Sequence, residues 1–483
     1  MSTSLRTRQS SLRYAASLLT ILLAGCVSGP DHVPPQMPLP AKFEEGGSKS
    51  NGNVVTAEWW TAYRDKRLDG LVTHGLRENL DVLQALESIN SASANVTVAG
   101  AGGLPSLTVG ASHTVSGEKG RLRTSVGTTN TTGGEASLSW LLDFFGQYRR
   151  SRESAIASLG AAYATADNAR LTFLKDLVES YIDARYYQER IALSQASLKS
   201  RQQTYELTQL QLKAGAASRL DVVQAEGLVQ STKSEIPGLQ QSFTESAHHI
   251  ATLIGMPASA LMGELQKSAG QPVFRGDIRA GIPADLIRNR PDIRKAEREL
   301  AAAVADIGAA EAQLYPSISL SGSISPSWVK ASGASGGSLT SWSFGPSLNL
   351  PIFDGGTLRA NVEIEKSDAR TQYLAWKAAV LSGVEEVENA LTAVRRDTQT
   401  LEPLRRQVQT AQESLALSTT SYKDGASSLL DVLDAQRSVS DAEASLAATV
   451  QQVAKDYVDL YVAIGAGYLE PEHVAAKPTA KSG

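Results

Sequence analysis

Two segments 210 residues apart (Lys423 against Lys213) carry nearly the same residues, and that repetition limits the fold more than any bulk property. Lys213, Gly215, Ala216, Ser218, Leu220, Asp221, Val222 and Ala225 recur as Lys423, Gly425, Ala426, Ser428, Leu430, Asp431, Val432 and Ala435. Each copy reads as a tight turn between two helices. A glycine after a helical run suits a left-handed C-terminal residue. A serine followed three residues later by aspartate predicts a capping box on the next helix. The same turn twice, at matched positions, means that the chain is a duplication, and internal repeats decide architecture before anything else.

The flanking pattern repeats as well. Residues 146–213 and 356–423 hold long helical runs with an apolar seam, clearest at Val380, Val384, Val387, Leu391 and Val394. Pro403 lies inside the second and should kink it. Return helices are expected over 218–254 and 428–465. Each long run follows a predicted strand pair, at 104–116 and 135–145 in the first copy and at 316–327 and 340–352 in the second. A helix precedes each pair. The copies therefore cover 56–256 and 283–466, with an irregular linker over 257–282 and a polar, disordered tail at 467–483. Trp140, Phe144 and Phe145 suit an aromatic belt beside the strands. Lys119, Arg121 and Arg123 fall in the loop between the first two strands, and Arg288, Arg290 and Asp292 are expected to form a structural network.

The 483 residues carry 46 Lys and Arg against 50 Asp and Glu, for a net charge of −4, which gives no nucleic-acid footprint. There is one cysteine, Cys26, so no intrachain disulfide can form. Arg6, Arg8 and Arg13, the apolar run Tyr14 to Leu23 and then Ala24, Gly25 and Cys26 resemble a bacterial lipoprotein signal. That resemblance makes residues 1–25 a signal peptide and Cys26 the lipidated (palmitate-bearing) residue, and the Pro-, Gly- and Ser-rich composition that follows makes 26–55 an extended tether. Val27 in place of aspartate favours the outer membrane by the same resemblance. No later segment is apolar enough for a membrane helix, so a membrane crossing must use strands. Four strands cannot close a barrel. Two copies would give eight strands filled by their own side chains, and three would give twelve strands around a lumen.

Arg288-Asn289-Arg290-Pro291-Asp292-Ile293, Tyr315-Pro316-Ser317, Pro351-Ile352-Phe353-Asp354-Gly355-Gly356 and the segment Leu430 to Arg437 together are similar to the outer-membrane efflux proteins of the TolC/OprM type. Cys26 with Gly29-Pro30-Asp31 looks like the NodT-like lipoprotein branch. The resemblance implies a mainly α fold with a membrane β-barrel portion, a homotrimer with one twelve-stranded barrel, and an α-helical tunnel across the periplasm. It implies the exit duct of a tripartite pump, with a periplasmic adaptor and an inner-membrane transporter of the resistance–nodulation–division (RND) type as partners, and no catalysis. It further implies that Asp221, Tyr422, Leu430, Asp431 and Asp434 shape a periplasmic aperture, and that the turns with Gly215, Ser218, Arg219, Gly425 and Ser428 meet the adaptor. Read from the residues alone, Asp434 is equally a surface carboxylate, and the turns are capped hairpins. By the same resemblance a Tyr422–Asp221 hydrogen bond between helices would hold the aperture narrow; Ser427 stands where some members use an arginine for this lock, and Arg219 could partly substitute. Small amphiphilic compounds are the expected cargo. Type I protein secretion and metal-ion export are the alternative, and a pore-less periplasmic scaffold is a third reading. No cofactor, metal cluster, phosphate loop or nucleophile motif is expected.

Overall fold

The computed structural model describes residues 27–45, 58–118, 127–276 and 283–467. Helices α1 (Lys66–Glu78) and α2 (Leu80–Ala101) lead into β1 (Ser106–Glu118) and β2 (Gly127–Leu142). Next come α3 (Gln147–Lys213) and α4 (Arg219–Leu253). The second copy holds α5 (Pro283–Asn289), α6 (Pro291–Ala312), β3 (Ser317–Ala331), β4 (Gly337–Asn349), α7 (Thr357–Lys423) and α8 (Leu429–Ala463). The long helices α3 and α7 have 67 residues each, about 100 Å at 1.5 Å per residue. Helix α7 runs through Pro403, and α4 through Pro237. No described helix is long and apolar enough to cross a membrane.

The described residues form two compact units that cut across the duplication. One draws on Met1–Gln36, Ser88–Ala162 and Lys295–Trp376, the other on Met37–Glu87, Tyr163–Arg294 and Lys377–Gly483.

The first unit contains the sheet, antiparallel in the order β1-β2-β3-β4. Ser106 pairs with Ser139, Leu142 with Ile318, and Ser317 with Asn349. The two hairpins, one from each copy, join along β2 and β3. That ladder lapses between Gly133 and Ala136, opposite Ser325 and Pro326, where proline brings no N–H. Strand β2 starts eight residues before the expected 135. Its Gly- and Thr-rich start pairs with both β1 and β3, so partners on two sides outweigh the weak strand preference of glycine. Strand β4 stops at Asn349 rather than 352, because Asp354 turns the chain by accepting from the backbone N–H of Gly356 (2.9 Å) and Leu358 (2.7 Å).

Residues 27–45, expected as an extended tether, form no helix or strand and are fastened to distant residues. In the sheet unit, buried Arg150 donates through Nε to the Ser28 carbonyl (2.9 Å) and through Nη2 to the Gly29 carbonyl (3.1 Å) and Asp31 (2.8 Å). His32 meets Glu297 at 2.6 Å. Gly29, at φ +84°, lies so near Gly308 that a Cβ on it would come 2.4 Å from the Gly308 Cα. In the second unit Phe43 is 1% exposed, the Glu44 N–H donates to Glu388, and Glu45 pairs with Arg395. Proline and glycine content reads as flexible, whereas the packing depends on partners hundreds of residues away.

The second unit is helical. The helix expected before the first strand pair is divided at Asn79, whose side chain caps Val82 (2.9 Å) and donates to the Leu253 carbonyl (2.8 Å). Leu174, Leu177, Val178 and Tyr181 of α3 are fully buried. Tyr181 donates to Asp65 (2.5 Å), which caps α1. Fully buried Arg185 donates to the carbonyls of Leu265 (3.2 Å) and Lys267 (3.1 Å), which pins the linker. Buried Arg290 binds Asp292 (2.6 Å), Glu386 (2.7 Å) and the Ala463 carbonyl (2.8 Å). Pro291 opens α6 at the position where a missing N–H costs nothing.

A carboxyl-rich zone lies among α3, α7 and α8. Burial lifts Glu179 to about 7, with Lys175 and Lys455 opposing and Asp459 and Asp176 adding to the rise. Burial lifts Asp456 to about 6 against its bond from Gln452, with Asp397 adding to the rise. A carboxyl raised on folding stabilises the fold below its unfolded value, and that contribution is lost as pH rises through the folded value. The thermal midpoint of the purified protein should therefore fall between pH 5 and 7.5. Glu179→Gln should flatten the fall, and an unchanged slope in that variant would place the cause elsewhere.

Candidate functional site

The four strands alternate with a period of two, and their registers put like residues on like faces. In β3, Ile318, Leu320, Ile324 and Trp328 alternate with Ser317, Ser319, Ser321, Ser323, Ser325 and Ser327. Ile318 stands opposite Leu348, Gly322 opposite Phe344 and Ile324 opposite Trp342. On the other side Leu320 stands opposite Trp140 and Ile324 opposite Ala136, and β1 continues the same face with Leu107 and Val109. One face is therefore apolar from edge to edge. The other is mostly serine, threonine and glycine, with Glu135, Leu141 and Leu339 among them, and is tied by hydroxyl pairs: Thr108–Ser137 (2.6 Å), Ser319–Ser347 (2.8 Å) and Ser323–Ser343 (3.0 Å). Trp342 is 76% exposed and Phe344 66%. Apolar residues out and polar residues in is the pattern of a strand between lipid and an aqueous lumen. Among the described residues β1 and β4 are edge strands, and no lipid-facing structure leaves its edges unpaired. At the β2 end, Trp140 donates to the Gly103 carbonyl (3.0 Å), and Phe145 stacks on Tyr315 with ring centres 4.7 Å apart. Phe144 is exposed.

The repeated turns lie in the helical unit. Both end in the same C-terminal motif. The Ala216 N–H donates to the Gln211 carbonyl (2.8 Å) and the Gly215 N–H to the Leu212 carbonyl (3.0 Å). Ala426 to Ser421 (2.8 Å) and Gly425 to Tyr422 (3.1 Å) repeat the motif. Gly215 and Gly425 sit at φ +71° and +75°, where a Cβ costs about 1–2 kcal/mol. Both capping boxes form: the Asp221 N–H donates to Ser218 Oγ (3.2 Å) while Asp221 Oδ2 accepts from the Ser218 N–H (2.8 Å), and Ser428 with Asp431 does the same. The turns are joined by an apolar cluster of Ala225, Leu429 and Leu433, with Tyr205, Leu228 and Tyr422 packed on it.

Tyr422 donates to Gln211, not to Asp221, whose carboxylate is held in its cap. Burial and then nearby Asp221 raise the Tyr422 hydroxyl against hydrogen bonds to Thr208 and Gln211. Leu430 and Asp434 are both exposed, one helical turn apart on α8. Asp434 pairs with Arg437 at 2.8 Å, a partner that the three-residue spacing makes legible. Arg219 is exposed, and the Ser427 hydroxyl donates to the Ser418 carbonyl. Gln211 gives no sequence signal, since the partner that selects it lies 211 residues away. Cys26, Lys119, Arg121, Arg123 and the Arg288 side chain lie outside the described residues.

The sequence profile of the outer membrane efflux protein family matches residues 71–256 and 282–466, one stretch per copy. The chain belongs to the outer membrane efflux protein family. It is 61% identical over 462 residues to a nodulation protein T of Rhizobium leguminosarum bv. viciae, covering 96% of this chain and 95% of the relative. It is 30% identical over 471 residues to the toluene efflux pump outer membrane protein TtgC of Pseudomonas putida, covering 94% and 95%. The solved outer-membrane channel OprN superposes with a TM-score of 0.81 at 30% identity, covering 91% of this chain and 99% of that one. Outer membrane efflux proteins are conduits, not enzymes. Family members form homotrimeric channels in the outer membrane that work with adaptors and inner-membrane transporters.

A charge on the apolar face should block assembly in the membrane, at about 2–4 kcal/mol per arginine at mid-bilayer depth. Phe344→Arg is expected to leave the protein unassembled in outer-membrane fractions. Ser341→Arg, on the hydroxyl face, is expected to assemble, and the two variants assembling alike would refute the assignment of faces.

Proposed function

We propose that three copies close their sheets edge to edge, β4 of one beside β1 of the next, as a twelve-stranded exit duct for small amphiphilic compounds driven by an RND-type transporter. The observation that carries this reading is the sheet: one lipid-compatible face, one hydroxyl face and two unpaired edges. The relative named for toluene efflux supports the cargo class. A lipid on Cys26 would anchor the chain in the same membrane. The turns around Gly215, Ser218, Arg219, Gly425 and Ser428 form the adaptor-facing tip. Asp221, Tyr422, Leu430, Asp431 and Asp434 form the aperture, with Leu430 as its apolar ring and Asp434 as its charged one.

Asp434 works against Arg437 in this arrangement. Three such pairs at a constriction are nearly neutral, so removal of either partner leaves the other charge in the ring. In planar bilayers Asp434→Ala should weaken cation preference and Arg437→Ala should strengthen it. Equal selectivity in both variants and the native trimer would remove Asp434 from the aperture. In a strain without redundant pumps, deletion should raise sensitivity to lipophilic dyes several-fold, and unchanged sensitivity would reject the cargo class.

A further inference from the structure

Helices α3 and α7 have 67 residues each and start at Gln147 and Thr357, and α4 and α8 have 35 each and start at Arg219 and Leu429. The two hairpins therefore correspond residue for residue at one offset, 210 (Lys423 against Lys213), with no insertion. Within the chain they meet along a seam between α3 and α8. Lys175 pairs with Asp459 at 2.5 Å and Asp183 with Lys455 at 2.6 Å. Ser197 meets Ser440 at 2.8 Å, and Gln436 donates to Ser200 (3.2 Å) and Thr204 (2.9 Å). Near the turns Tyr205 packs on the cluster that holds Leu433.

This seam joins the long helix of the first copy to the return helix of the second. The converse faces, on α7 and α4, are open. Leu171 of α3 is 3% exposed and its counterpart Leu381 of α7 is 51% exposed; Leu433 of α8 is 1% exposed and its counterpart Val223 of α4 is 48% exposed. Moved by the offset, each contact of the seam sets an exposed or half-buried residue of α7 against one of α4. Lys175 and Asp459 become Glu385 and His249, a carboxylate and a ring that can donate to it. Ser197 and Ser440 become Gln407 and Gln230, two amides that can satisfy each other. Thr204 and Gln436 become Ser414 and Glu226, a hydroxyl donor and an acceptor, and Tyr205 and Leu433 become Leu415 and Val223. Asp183 and Lys455 lose their match, as Ala393 and Glu245. The side chains have changed between the copies, yet four of these five pairs remain complementary, which a face meeting only water does not require.

We propose that a second copy of this chain lays its α4 along α7 in the register that α8 takes on α3, with His249 of one chain facing Glu385 of the next and Val223 facing Leu415. The contact joins unlike faces, so it closes into a ring when the rotation between copies closes, and the homotrimer of the family supplies that rotation. It extends the proposed duct from its strands to its helices and rests on that reading. The test uses the full-length protein in outer-membrane vesicles with a short rigid bismaleimide as cross-linker. Val223→Cys combined with Leu415→Cys, and separately His249→Cys combined with Glu385→Cys, should give covalent dimers and trimers on denaturing gels, while each single variant should stay at the mass of one chain. Val223→Cys with Leu404→Cys, which moves one partner about 16 Å along α7, should react at least tenfold more slowly. A protein that keeps the mass of a trimer in detergent but whose two register pairs do not join, or join no faster than the displaced pair, overturns this proposal and leaves the duct standing. A protein with the mass of one chain in detergent overturns both.

Discussion

The hydrogen-bonding demand of the β-sheet backbone governs this molecule. Every N–H and C=O in hydrocarbon needs a partner, because lipid offers none. Strands β2 and β3 meet that demand within the chain, while β1 and β4 each leave one side unmatched. The four strands of the described residues are therefore incomplete in a membrane, and the homotrimer of the family supplies what they lack. The two-faced sheet then follows from the two solvents. Serine pairs such as Ser319–Ser347 satisfy one another where water and lumen lie, and Phe344 lies across Gly322, covering backbone on the apolar side.

The helical unit answers a different demand. Helices of 67 residues without a wide apolar stripe draw little stability from any one contact, so the ends and the few buried polar links matter. The C-terminal glycines, the capping serines and the cluster around Leu433 fix each turn. Arg185 and Arg290 do the same along the shafts, each tying carbonyls of a distant segment.

What was legible in the sequence was local or periodic. The turns announced themselves through glycine at the helix end and serine three residues before aspartate, both set by adjacent backbone. The serine alternation in β3 announced the strand. What was hidden depends on distant partners. The start of β2 is too glycine-rich to read as a strand until β1 and β3 lie on either side. The prolines read as an extended tether, but the hold that Arg150 takes on the Ser28 and Gly29 carbonyls, just before Pro30, does not show in the sequence. Within the chain Asp221 is held by its own cap and the Tyr422 hydroxyl goes to Gln211, a partner 211 residues away that no local pattern announces.

The contact between Gly29 and Gly308 has a geometric consequence. Backbone meets backbone there with no room for a methyl group on the Gly29 side, so the segment cannot slide without opening the contact. Three peptide links separate Gly29 from position 26, and an extended chain gains at most about 3.6 Å per residue. Anything attached at position 26 is thus on a leash of about 11 Å from a fixed point on α6. If the cysteine there carries acyl chains, they are moored beside the channel rather than trailing from it. The lipid would then act as a further contact of the sheet unit with its bilayer and limit the height at which the strands stand.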